Sequence, residues 1–294
     1  MNSEKFSAIN MKLLQPSTIA FTCKDFSVSQ ENFDLYYNDD KSILITQPQP
    51  SGEKLADYYK SEAYISHTDS SKSFTDKIYQ MVKRFMLKKK LRLLTKQNKR
   101  EKSLLDIGAG TGDFLALAKE NNWQINGVEP NQKARSLAKE KGVFLNNSLE
   151  DVKSKFAVIT LWHVLEHLPN LEEQIENIKK LLQDDGSLIV AVPNFKSYDA
   201  EYYKEFWAAY DVPRHLWHFS PAGIKNLFSK FDLELVQTEA LPFDSFYVSL
   251  LSEKYKNKSN NFIKAFQIGL QSNLKAKKSG NYSSLIYILK NKPN

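Results

Sequence analysis

Leu104-Leu105-Asp106-Ile107-Gly108-Ala109-Gly110-Thr111-Gly112-Asp113-Phe114 decides how this chain of 294 residues is read. An apolar run of strand length, residues 103–107, ends in three glycines at alternate positions, and a helical pattern follows over residues 114–121. Glycine at such a junction lets backbone approach a bound molecule closely, and the first N–H groups of the helix add positive dipole. Asp106 stands in front of the turn, within reach of an amino or other cationic group beside it. A second strand-like run, 124–128, ends at Glu129, spaced from Gly108 so that its carboxylate can accept from both hydroxyls of a ribose.

Working outward, strand and helix patterns keep alternating. A helix is expected over 132–141 and a short third strand over 143–146. A fourth strand follows over 156–162, then a helix capped by Asn170 with Glu173 three residues on. Asp185-Gly186 turns into a fifth strand, 187–192. Ser220-Pro221 opens another helix, residues 233–238 read as a strand, a polar helical insert occupies about 246–280, and 284–289 form a last strand. This succession predicts an α/β fold with a doubly wound, mostly parallel, seven-stranded sheet, which binds ligands beyond the carboxyl ends of its strands. Upstream, residues 1–54 read as a small appendage with strand-like pieces at 13–23 and 42–46, interrupted by the Pro-rich stretch 47–52. Residues 55–100 read as a helical, basic segment in which Tyr58, Tyr59 and Tyr64 pack or line a cleft, and 101–294 as the main domain.

Apolar residues make up 41% and charged residues 26%, a composition that can bury a full core and excludes wholesale disorder and collagen-like repeats. No apolar run approaches the ~18–20 residues of a membrane span, and the first twenty residues lack the apolar stretch of a signal peptide. The single Cys23 excludes an intrachain disulfide and fits a reducing cytoplasm, the expected location. Net charge is +7, concentrated between Lys83 and Lys102, where ten basic residues face the one acid Glu101. Ile78, Met81, Val82, Phe85, Leu91 and Leu94 trace one helical face there. An amphipathic helix with a solvated basic back is the first reading, and a surface for nucleic acid or lipid headgroups the second.

The glycine spacing is G-x-G-x-G, which does not match the G-x-G-x-x-G of the NAD pyrophosphate turn. Together with Asp106, Glu129 and the segment Trp162-His163-Val164-Leu165-Glu166-His167-Leu168, it resembles the class I S-adenosylmethionine-dependent methyltransferases of the broad type 12-like group. The resemblance covers about residues 103–240 and implies a Rossmann-like fold with S-adenosylmethionine as cofactor. By position it implies that Asp106, Gly108 and Gly110, with Ala109 between them, contact the methionine portion, Glu129 the ribose, and Ser148 and Leu149 the adenine. Trp162 and His163 would face the cofactor and the acceptor pocket. Residues 1–54 resemble the region where some relatives carry a four-cysteine zinc ribbon; with Cys23 alone, no zinc or other metal is expected.

Two dense clusters admit other readings. His163-Val164-Leu165-Glu166-His167 matches the H-x-x-E-H metalloprotease pattern, which needs a helix through both histidines and a third protein ligand. Capping and packing by Glu166 and His167 is the preferred reading. In Asp211-Val212-Pro213-Arg214-His215-Leu216-Trp217-His218-Phe219, Arg214 with nearby Trp207 and Tyr210 would bind the acceptor. His215 would be the general base, with His163 second. The competing reading makes those aromatics core and those polar groups partners of buried loop backbone. Methyl transfer to a small molecule, sugar or lipid precursor is the expected function. An RNA- or protein-modifying methyltransferase, a non-catalytic cofactor-binding module and an NAD-linked oxidoreductase are the alternatives. Nucleic acid is not the favoured partner, because the N-P-P-Y-type sequence of enzymes that methylate adenine amino groups is missing after the fourth strand.

Overall fold

The computed structural model describes residues 13–59, 74–97, 101–258 and 261–293. Strands β1 (Thr18–Lys24), β2 (Asn32–Tyr37) and β3 (Ile43–Gln47) form an antiparallel meander. Its turns are closed by side chains: the Asp25 carboxylate accepts from the N–H groups of Ser27, Val28 and Ser29, and Asn38 Oδ1 accepts from those of Ser42 and Ile43. Helices α1 (Gly52–Asp57) and α2 (Phe74–Gln97) follow.

The alternating region then runs β4 (Ser103–Ile107), α3 (Asp113–Glu120), β5 (Gln124–Val128), α4 (Gln132–Glu140), β6 (Phe156–Trp162), α5 (Leu171–Lys180), β7 (Leu182–Pro193) and α6 (Tyr198–Tyr203). It continues with β8 (Trp217–Phe219), α7 (Pro221–Ser229), β9 (Leu233–Ala240), α8 (Asp244–Asn257), α9 (Phe262–Ser279) and β10 (Ser284–Asn291). One sheet has the order β1-β2-β3-β8, and the other β5-β4-β6-β7-β10-β9. β4 pairs in parallel with both β5 and β6, the pairing that strand–helix–strand units make. The expected doubly wound α/β architecture is therefore present.

Among the described residues the main sheet has six strands, not the expected seven. The stretch expected as a third strand contributes a single bridge, Val128 to Asn146. Asn146 exchanges hydrogen bonds with Gly127 and Glu129, after which Ser148 turns the backbone into a short 3-10 turn. β7 begins earlier than expected, at Leu182. Helix α2 buries Leu93 and Leu94, whereas Met81 and Phe85, expected on the packed face, are exposed. Tyr64, Lys99 and Arg100 lie outside the described residues, as does the side chain of Ile78. Among the described residues no helix is long and apolar enough to cross a membrane.

The chain packs as two compact units: Met1–Tyr59 with His163–Leu171 and Ala191–Tyr287, and Lys60–Trp162 with Glu172–Val190 and Ile288–Asn294. In the second, Leu104, Leu105, Val158, Ile159 and Leu188 are fully buried. Each such side chain contributes about 1.5–3 kcal/mol through burial. In the first, Cys23, Phe33, Leu35, Leu44, Trp207 and Tyr210 share one core cluster.

Candidate active site

The glycine turn belongs to the second unit. Gly108, Gly110 and Gly112 adopt φ of 71°, 54° and 75°, the left-handed region that glycine enters without steric cost. The N–H groups of Gly108 and Ala109 donate to Val128 O at 2.8 and 3.0 Å, which ties the turn to the end of β5. Glu129 follows directly, and its carboxylate is fixed from two sides. Oε2 accepts from Gly110 N and Oε1 from Asn131 N, each at 2.9 Å. Two such bonds leave lone pairs on both oxygens, enough to accept from a pair of vicinal hydroxyls.

Asp106 is 3% exposed, and its Oδ1 accepts from Thr160 Oγ1 at 2.6 Å. Burial pushes its pKa up to about 7 against the opposing pull of Thr160 and Lys90, so a cationic partner there would restore the charge. Beside the turn, Phe114 meets the Trp162 ring edge-on at 5.6 Å and Lys90 Nζ lies 4.4 Å from the same ring. Trp162 Nε1 is buried with no hydrogen-bond partner among the described residues. A Cβ built on Gly110 would meet no atom within 4 Å, so the space beside this glycine is open and any side chain there would occupy it. Ser148 and Leu149 are half-buried; Ser148 Oγ caps the turn Leu149–Asp151 by accepting from Glu150 N. An apolar wall, a fixed carboxylate and a buried acid suit a nucleoside bearing an amino group.

The remaining predicted residues lie in the first unit. His163 leaves β6 with φ of 57°, a left-handed conformation uncommon outside glycine. Its Nε2 is 3.2 Å from Asp244 Oδ2 and its Nδ1 3.5 Å from Glu166 Oε1. Burial opposes its charge, but the side chain keeps 39% of its surface, and the two carboxylates outweigh that opposition and raise its pKa to about 10. His163 is thus a cation at neutral pH, which corrects its expected role as a base. Glu166 is buried, yet the facing histidines hold its carboxyl below the usual range.

His167 Nδ1 sits 2.8 Å from Tyr59 Oη and 3.0 Å from Arg214 O, and burial with His215 alongside lowers its pKa to about 4. His215 Nδ1 is 2.9 Å from Ala209 O. The residues expected to bind the acceptor have other partners. Arg214 is 4% exposed, with Nε and Nη2 on the two oxygens of Asp211 and Nη2 also on Asp25. Trp207 donates to Asp199 at 2.7 Å, and Tyr210 packs against Phe21 and Trp207. For these three the competing reading, core aromatics and a loop-holding cation, is the one the geometry favours. The H-x-x-E-H reading fails in its own terms, because only Leu165–His167 form a 3-10 turn and no helix passes through both histidines. Asp244, which holds His163, went unread: it opens a helix in the insert, far along the chain from its partner, and no spacing signals the pair.

Comparison with known proteins decides the family. A sequence model described as a methyltransferase domain matches residues 79–238, more than half of the chain. The chain belongs to this methyltransferase-domain family. It is 31% identical over 120 residues to an uncharacterized methyltransferase of Alkaliphilus oremlandii, a match covering 37% of this chain and 53% of that protein. It is likewise 31% identical over 108 residues to a ubiquinone biosynthesis O-methyltransferase of Actinobacillus pleuropneumoniae, covering 32% and 46% of the two chains. The chain thus spans about half the length of the curated relatives it matches. In structure it resembles magnesium protoporphyrin IX methyltransferase from Synechocystis, solved with S-adenosylhomocysteine, with a TM-score of 0.56 and 15% identity over 82% of this chain and 100% of that one. That likeness shows the fold of this methyltransferase-domain chain, and the predicted cofactor of the family, S-adenosylmethionine, stands.

Proposed function

We propose that this chain transfers a methyl group from S-adenosylmethionine to a small-molecule acceptor, with oxygen as the receiving atom. The observation that carries the reading is the Glu129 carboxylate, locked by Gly110 N and Asn131 N with both oxygens able to accept further. The O-methyltransferase relative supports oxygen as the acceptor atom. When bound, the cofactor supplies an electrophilic methyl group on a thioether that leaves without needing a proton. Glu129 would hold the ribose and Asp106 the amino group, Trp162 with Phe114 would form the apolar side, and Ser148 and Leu149 would contact the adenine. Holding donor and acceptor in line is worth up to ~7–11 kcal/mol in well-oriented systems. His215 is the side chain we assign as general base for the acceptor hydroxyl, as the sequence expectation has it.

A small molecule is favoured over nucleic acid because part of the basic run on α2 faces its own domain. Lys83 pairs with Asp113 at 2.8 Å, and Lys90 covers the Trp162 ring. A single buried cysteine supports a cytoplasmic location. The test is incubation with methyl-labelled cofactor and a panel of phenols, catechols, sugars and hydroxy acids, with total RNA in parallel. Label on a hydroxyl compound that disappears with Gly110→Val supports the reading. Label on RNA, falling steeply with salt, overturns it in favour of the nucleic-acid alternative. Cofactor binding with no labelled product from any acceptor overturns it in favour of a binding module.

A further inference from the structure

Glu166, His167 and His215 come together within the first unit, although His215 lies far beyond the other two in the sequence. The backbone makes the meeting: Leu216 N donates to Glu166 O at 2.8 Å, which sets the residue before Leu216 beside the turn Leu165–His167. One ligating atom from each of the three side chains lies within 4.8 Å of the others.

The histidines are oriented as ligands. His167 Nδ1 lies 3.0 Å from the carbonyl of Arg214, and His215 Nδ1 lies 2.9 Å from the carbonyl of Ala209. A carbonyl only accepts, so each Nδ1 carries the proton and each Nε2 carries a lone pair. Fixing one ring nitrogen on a carbonyl is how proteins set the tautomer of a metal-binding histidine. Between the rings, whose centroids are 4.4 Å apart, the third group supplies charge. Both carboxylate oxygens of Glu166 are buried and accept no hydrogen bond among the described residues, Oε1 lying 3.5 Å from His163 Nδ1, and the residue is 1% exposed. A buried carboxylate without a hydrogen-bond donor among the described residues, with one oxygen within 4.8 Å of a ring nitrogen of each of two imidazoles, points to a cation.

We propose that Glu166, His167 and His215 bind a divalent transition-metal ion, with Zn2+ the best fit. Two imidazoles and one carboxylate suit zinc, and three protein ligands leave a position open to water or an oxygen-bearing ligand. Metal–ligand bonds of ~2.0–2.1 Å put tetrahedral donor atoms about 3.4 Å apart, so the cluster closes on the ion by ~1–1.5 Å through side-chain rotation. With its Nε2 lone pair on the ion, His215 no longer takes a proton, so it serves as a base only in metal-free protein. This replaces the sequence expectation of no metal with a set different from H-x-x-E-H: Glu166 and His167 come from that motif, the third ligand comes from the P-R-H-L segment, and His163 stays on its carboxylates.

The test is calorimetric titration of the full chain, stripped with a chelator, with Zn2+, Mn2+ and Mg2+ as probes. Co2+ serves as the optical probe. One Zn2+ per chain is expected, bound more tightly than Mn2+ and far more tightly than Mg2+. Co2+ is expected to give the visible d–d bands of a low-coordinate nitrogen–oxygen site. His215→Ala and the near-isosteric Glu166→Gln should each weaken Zn2+ by at least about 10–100-fold and abolish the Co2+ bands. Far-UV circular dichroism shows whether each variant is folded, and His215→Gln, which keeps a polar side chain of similar length, is the milder substitution if His215→Ala is not. No Zn2+ or Co2+ uptake by the natural chain overturns the proposal. Uptake that folded Glu166→Gln and His215→Ala leave unchanged also overturns it, because the ion is then held elsewhere.

Discussion

Asp106 and Glu129 are both acids beside one turn, but they are held differently. Glu129 has two backbone N–H donors, whereas Asp106 is buried with one hydroxyl, and burial lifts its pKa to about 7. In the free protein this shift lowers stability progressively as pH rises from about 4 to 7, because the folded chain keeps a proton that the unfolded chain has released, and the full cost remains above pH 7. Ligand binding has the opposite sign. A cationic amino group pairs with the ionised form, so affinity is full above pH 7 and falls as pH drops through it. Affinity for S-adenosylhomocysteine should fall about tenfold from pH 8 to pH 6, the change in the ionised fraction for a pKa near 7. Asp106→Asn should weaken binding at pH 8 and flatten the profile. A natural protein whose affinity is constant over that range would remove Asp106 from the cofactor's amino group. At this scale the sequence was informative for Asp106, the glycines and Glu129, because a strand end and a helix start fix their positions locally. It was uninformative for His163, whose protonation depends on Asp244, a residue brought to it by tertiary folding alone.

Among the elements, the insert is the part whose structure reads least directly from pattern. Residues expected as a polar helical segment form two helices, α8 and α9, and α9 is tied to α6 through one carboxylate. Asp199 is fully buried and accepts from Trp207 Nε1 at 2.7 Å and from Ser272 Oγ and Ser283 Oγ at 2.6 Å each. Asp199→Ala orphans three buried donors and should destabilise the chain by about 3–5 kcal/mol. Urea unfolding measures this, and Trp207 emission should shift red as its indole N–H loses its partner. A loss below ~1 kcal/mol would show that the three donors find other acceptors. β2 and β8 also escaped the sequence reading. Asn-Phe-Asp-Leu-Tyr-Tyr at 32–37 does alternate, with Phe33 and Leu35 buried, so its signal was present. β8 spans only Trp217–Phe219 and exists because it pairs with β3 in the register Ile43 to Phe219, a long-range contact that no local pattern encodes.

For the whole molecule, the doubly wound order and the family were legible because the βα repeat and the G-x-G-x-G turn are local and periodic. The strand count was not, since the 143–146 stretch stops after one bridge at the sheet edge. The acceptor side was not legible either: Trp207, Tyr210 and Arg214 have residue types suited to binding, and it is their buried partners that favour a role in holding the fold. The central claim rests on the Glu129 carboxylate, and one measurement tests it most directly: calorimetric titration with S-adenosylhomocysteine of the natural chain and of Glu129→Ala, with NAD as the competing ligand. The account predicts micromolar binding by the natural chain, loss of at least about tenfold in folded Glu129→Ala, the worth of roughly one charge-assisted hydrogen bond, and no heat from NAD. NAD binding in place of S-adenosylhomocysteine, or equal affinity in the two proteins, would contradict it.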